Sequence, residues 1–214
     1  MHFVPDVSTL AAFFLAAVVL TITPGPDMTL FLGRTLSFGR AAGLAAMLGA
    51  SSGILVHTSL AAFGISALIA ASPEAFLVLK IVGAAYLVFL AVQAIVSGSA
   101  LNLGAGRQGG GQSIVRHWLT GLGINLLNPK IILFFVTFLP QFVSASDPHA
   151  AGKLVFLGLF FIAVALPLTI PMIFVAERLS ATLMRRPKVT RAIDWLFAGV
   201  FSAFALRILF AQAK

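Results

Sequence analysis

The chain has 214 residues, of which 60% are hydrophobic and 9% charged. A soluble domain carries about 25% charged residues, so a water-facing surface could not be covered and no sizeable soluble domain is expected beside a single membrane domain over 1–214. The net charge of +8 does not point to nucleic acid, because the basic residues sit in short gaps between apolar runs. The absence of cysteine excludes disulfides and thiolate chemistry, and with four dispersed histidines it leaves a metal site poorly supplied. Nothing in the composition calls for a cofactor.

The first ten residues hold no Lys or Arg, and the apolar run after them leads into Thr23-Pro24-Gly25-Pro26 without a small-residue cleavage site. That pattern reads as a retained first span. Six helical spans are predicted in all, at about 8–32, 41–69, 75–96, 114–139, 153–176 and 193–210. Each can cross ~30 Å of hydrocarbon at about 1.5 Å per residue. Continuous apolar runs choose helices over alternating strands, and helices satisfy their own backbone groups in lipid. The first, third and fifth gaps hold nine basic residues (Arg34, Arg40, Arg107, Arg116, Arg178, Arg185, Arg186, Lys188, Arg191), against Lys153 alone in the second and fourth. The positive-inside rule then puts the odd gaps in the cytoplasm and both termini outside. A first segment that re-enters without crossing is the alternative, since Pro-Gly-Pro weakens it as a helix.

The third gap, about 98–113, is rich in Gly and Ser and reads as a flexible linker. It separates a first half, about 6–97, from a second, about 114–210. Three spans per half make the halves opposite in orientation, an inverted-repeat plan. The first span of each half is interrupted: Thr23-Pro24-Gly25-Pro26-Asp27 in one, Asn125-Leu126-Leu127-Asn128-Pro129-Lys130 in the other. Proline removes a backbone donor and clashes with the preceding turn, so each break leaves free carbonyls and amides that must face protein or a water-filled cavity. Interruptions at matching places in two halves point to a transport site; a kink without ligand contact is the plainer reading.

Asp27 can cap the amides of the resumed helix, or bind an ammonium group or a proton. Lys130 needs an interface, a partner or a cavity, and a direct Asp27–Lys130 ion pair is one option. Asn125 and Asn128 offer amide groups to a solute or to the broken backbone. His57 and Tyr86 lie within spans and are candidate path residues, His57 also a candidate proton carrier; packing roles are the alternative for both. Lys80 and Arg207 fit snorkelling positions near span ends, and Pro167 and Pro171 should kink the fifth span. Gly39, Gly43, Gly49 and Gly53 give two GxxxG spacings, suited to close packing within the protomer or to a seam between two copies.

These motifs, together with Leu79-Lys80-Ile81-Val82-Gly83-Ala84-Ala85-Tyr86-Leu87, Phe134-Phe135 and Pro140-Gln141-Phe142, resemble the LysE/RhtB family of bacterial amino-acid exporters over nearly the whole chain. The resemblance implies six hydrophobic segments in the bacterial inner membrane and export of amino acids or related molecules, coupled to protons. The Thr-Pro-Gly-Pro form is similar to the homoserine, threonine and leucine branch more than to the lysine and arginine branch, which favours a small neutral substrate. The Asp27 position is less constant in the family than the prolines. Two rivals come from other classes. Gly49-Ala50-Ser51-Ser52-Gly53 matches the G-x-S-x-G pattern of a serine protease, though without its strand–turn–helix context. A passive channel would share the intramembrane charges but not the gradient dependence.

Overall fold

The computed structural model describes residues 4–65, 112–144 and 147–212, with scattered positions between 72 and 96. Tyr86, Lys80, most of the predicted third span, nearly all of the linker and the side chain of Arg207 lie outside the described residues. The described residues form helices and short connections, with no strand among them.

Helix α1, Val7–Ile22, begins where Asp6 accepts the Thr9 N–H at 2.8 Å. The Ser8 hydroxyl, the Thr9 N–H and the Thr9 hydroxyl hold the Asp6 carboxyl well below the usual carboxylate range. Helix α2, Pro26–Phe38, resumes after the Pro-Gly-Pro break at a bend of 48°. Gly39 then turns the chain at φ +88°, a left-handed conformation suited to glycine, into α3, Arg40–Leu60, which widens into a π turn at Ala61–Ile65. The second half opens with α4, Ile114–Leu126, capped by Ser113. After a 54° bend follow α5, Pro129–Leu133, a π turn at Phe134–Phe138 and a 3-10 turn at Leu139–Phe142. Helix α6, Ala150–Phe174, runs continuously through Pro167 and Pro171. Helices α7, Ala176–Arg185, and α8, Pro187–Gln212, complete the described chain.

Arg40–Gly64 and Ala150–Phe174 are each long and apolar enough to cross a membrane, and the two bent pairs raise the number to four among the described residues. Large apolar side chains face outward, including Leu55, Leu60, Phe63 and Leu159, as lipid contact requires and water would not favour. Helix α8 covers the predicted sixth span, with Lys188, Arg191 and Asp194 in its first two turns. Helix α7 lies where sequence reading left only a charged gap. It is amphipathic: Ala176 and Leu183 pack on Met28 and Leu32, while Glu177, Arg178 and Arg185 are exposed.

Contacts sort the connections to two ends of the bundle. Arg34 donates to Gln112 Oε1 at 3.0 Å, and Arg40 donates to the Phe174 carbonyl at 3.4 Å, its guanidinium over the Phe174 ring. Toward the opposite end, the Phe13 ring lies 5.2 Å from Phe142, in a core with Phe134, Phe135 and Phe138. Lys153 pairs there with Asp147, whose carboxyl it holds below its ordinary range.

Helices α3 and α4 meet backbone to backbone. A Cβ on Gly49 would lie 1.9 Å from the Trp118 carbonyl oxygen, and one on Gly121 would lie 1.9 Å from that of Ala46. On the same helix Gly43 makes room for Thr35 and Gly53 for Asn125. The glycine face of α3 is therefore spent on packing within the protomer.

Candidate functional site

Each proline break frees a particular carbonyl, and each freed carbonyl is taken by a side chain from the other half. Residue 24 of an unbroken helix would donate to Leu20, four residues back; Pro24 has no N–H. The Leu20 carbonyl instead accepts Lys130 Nζ at 3.0 Å, and the Thr23 carbonyl accepts the same ammonium at 2.9 Å. In the second half Pro129 cannot donate to Asn125. The Asn125 carbonyl accepts the Asn128 N–H at 3.1 Å and faces His57 Nε2 at 3.4 Å, the proton residing on Nε2 in that contact because a carbonyl can only accept. Thr21 and Thr23 turn their hydroxyls back onto the Ala17 and Val19 carbonyls, so the end of α1 is further satisfied locally.

Side chains add a further bridge. Asn125 Nδ2 donates to Asp27 Oδ2 at 2.9 Å, with Asn125 completely buried. Asn128 caps α5 by accepting the Lys130 N–H at 3.1 Å. Gly25 is the cap residue of α2 and has no side chain to offer, so Asp27 is not the cap that sequence reading allowed; it stands in the first turn, where the helix dipole favours a negative charge. Nor does Lys130 form the direct ion pair offered as an option. Among the described residues it stays beyond salt-bridge range of Asp27, although within its electrostatic reach, and its ammonium chooses the α1 carbonyls.

Three polar atoms of this cluster are buried without a well-formed hydrogen bond: Asp27 Oδ1, Asn125 Oδ1 and Asn128 Nδ2, the Asn128 side chain lying close enough to Asp27 to stabilise its charge. Unsatisfied groups of this kind each cost about 1–3 kcal/mol unless something fills them. Asn125 Oδ1 is pressed against Gly53, where a Cβ would lie 2.5 Å away. Asp27 borders a cavity of about 60 Å³, enough for a few water molecules. Thr23, Asn125 and Lys130 line the same cavity, and Phe31, Met47, Ile54, Phe161 and Met172 form its apolar side. The sequence does not single out this apolar wall; α6 supplies much of it on either side of Pro167 and Pro171, whose expected roles are shape or gating.

The other candidates fall outside this cluster or only touch it. Pro26 and Pro129 are exposed at the outer side of their breaks, while Pro24 is buried. Ser51 borders the cavity, but its hydroxyl donates back to the Met47 carbonyl at 3.1 Å. His57 faces Asn125, and the His117 ring lies 5.0 Å from Phe38, so the described contacts join neither histidine to Ser51.

A family model described as LysE type translocator matches residues 18–212, a stretch that takes in both breaks and every side chain bridging them. The chain belongs to the LysE type translocator family. Among its relatives, the homoserine/homoserine lactone efflux protein of Salmonella typhimurium is 30% identical over 89% of this chain and 90% of its own length. An uncharacterized membrane protein of Vibrio cholerae is 30% identical over 97% of this LysE translocator and 100% of its own length. The leucine efflux protein of an Enterobacter strain is 26% identical over 92% of each chain. No solved structure matches. Membership of the translocator family makes this a transport protein of the membrane.

Proposed function

We propose that this LysE translocator exports small neutral amino acids or their derivatives from the bacterial cytoplasm across the inner membrane, driven by the proton gradient. The observation that carries the reading is Asp27 Oδ1: a buried carboxylate oxygen without a well-formed hydrogen bond, near the Asn128 side chain and beside a cavity lined by two broken helices. The solute's ammonium group binds that oxygen. Its carboxylate binds the proton that Lys130 has left after its two carbonyl contacts, and its side chain lies against Phe31, Ile54 and Phe161. Asp27 also carries the counter-transported proton. The names of the Salmonella and Enterobacter relatives support the substrate class. The path runs through six helices in two inverted halves, with the odd gaps in the cytoplasm and both termini in the periplasm. Arg34 meeting Gln112, and Arg40 meeting Phe174, support one shared side for those gaps.

Cells loaded with dipeptides, with and without the protein, test the reading through the free amino acids they release. Neutral amino acids should leave faster in its presence, and collapse of the proton gradient should abolish the difference. Release that persists down the concentration gradient after collapse would make the protein a channel. Asp27→Asn keeps the size of the side chain and removes its charge, so export should fall sharply at unchanged membrane levels. Normal export by this variant would take Asp27 out of the mechanism.

A further inference from the structure

In transporters with interrupted helices, the carbonyl end of a half-helix is a seat for a cation such as Na⁺. Here the carbonyl end of α1 presents two carbonyl oxygens, those of Leu20 and Thr23, to one ammonium group at 3.0 and 2.9 Å. We propose that Lys130 is a tethered cation: its ammonium fills the ion seat at the end of α1, so this translocator works without a bound alkali-metal cation. The inference rests on reading the chain as an amino-acid exporter.

Several features of the cluster serve this one placement. Pro24 removes the N–H that would otherwise occupy the Leu20 carbonyl. Gly25 leaves the space the ammonium enters, for a Cβ there would lie 3.2 Å from Nζ. Gly25 has φ −177°, an extended conformation open to any residue, so the constraint is space and not backbone strain. Asn128 fixes the start of the stem by accepting the Lys130 N–H. Asp27 lies in the same cluster, yet the ammonium sits on the carbonyls beyond salt-bridge range of it, and Asp27 is met instead by the Asn125 and Asn128 side chains. A freely exchanging ion at the same carbonyls would compete with the solute's own ammonium for Asp27. A lysine held by its stem cannot cross to it without leaving the seat.

The test removes the tether and offers the headgroup back. Lys130→Ala deletes the stem beyond Cβ together with the ammonium, a fragment equivalent to propylammonium. The melting temperature of the purified full-length variant should rise, saturably, with propylammonium or Na⁺, and should not rise with propanol. The wild-type protein should respond to none of the three. A Lys130→Ala protein indifferent to both cations would overturn the inference, as would a wild-type protein stabilised by Na⁺. Should the alanine variant fail to fold, wild-type release of leucine from dipeptide-loaded cells decides the matter with Na⁺ replaced by choline: unchanged release supports the tethered cation, and a several-fold loss refutes it. If the wild type releases no amino acid in either medium, the exporter reading fails instead, and the wild-type melting temperature still judges the seat: a value unmoved by Na⁺ supports the tethered cation, and a rise overturns it.

Discussion

One added methyl group distinguishes three glycines of this protein. At Gly49 the new carbon would lie 1.9 Å from the Trp118 carbonyl oxygen, and neither backbone can withdraw without separating α3 from α4. Overpacking of this kind costs about 1–3 kcal/mol, so Gly49→Ala should lower the melting temperature and the amount of protein in the membrane. At Gly53 the obstacle is the Asn125 side chain at 2.5 Å, which can turn aside only by giving up its hydrogen bond to Asp27. Gly53→Ala should therefore fold better than Gly49→Ala and export poorly. At Gly25 the neighbour is the flexible end of Lys130, at 3.2 Å, and a shift of a few tenths of an ångström relieves it. Gly25→Ala should be the mildest for stability. Melting curves and export measured side by side check the order; a Gly49→Ala protein as stable as the wild type would contradict the packing described for the α3–α4 contact.

The two broken helices make a prediction of their own. Single cysteines at Pro24, Gly25, Pro26, Asn128 and Pro129, in a chain with no other cysteine, should react with small water-soluble thiol reagents. Those at Gly25 and Asn128, closest to the Lys130 contacts, should be protected by a transported amino acid. Lack of reaction at every position would mean that the breaks are bends for packing and line no aqueous path. Much of this was legible in the sequence, because proline deletes a known donor at a known position and glycine beside it removes any doubt about helix continuity. The bends, the helix that resumes at Pro26 and the asparagine cap at Asn128 follow from such local rules. The partners of the freed carbonyls do not. Lys130 on Leu20 and Thr23, and His57 against Asn125, join residues far apart in the chain, and no periodicity states that pairing. For the same reason the sequence offers Asp27 to Lys130, two opposite charges; it predicts freed carbonyls at each break, but those oxygens carry no residue-type signal that names the side chain taking them. The short amphipathic helix α7 was missed because its charges suit a loop as well as a helix face, and only its packing on Met28 and Leu32 settles the matter.

For the whole molecule, the charge bias and the gathering of the odd gaps at one end lead to a single expectation. A reporter fused after Lys214 should show alkaline phosphatase activity and no cytoplasmic fluorescence; the opposite pattern would remove the six-span arrangement. The α3–α4 seam bears on how such a molecule can work as a machine. Two helices whose carbonyls and glycines interlock at Gly49 and Gly121 have no room to slide or roll on one another. They form a fixed chassis. Under the proposed function, the strokes that open the cavity first to one face of the membrane and then to the other fall to α1–α2 and to α5, which swings at its break from α4, and to α6 with its two prolines. A clamp fastened across the chassis should leave the engine running, whereas a clamp joining α1 to α6 should stall it.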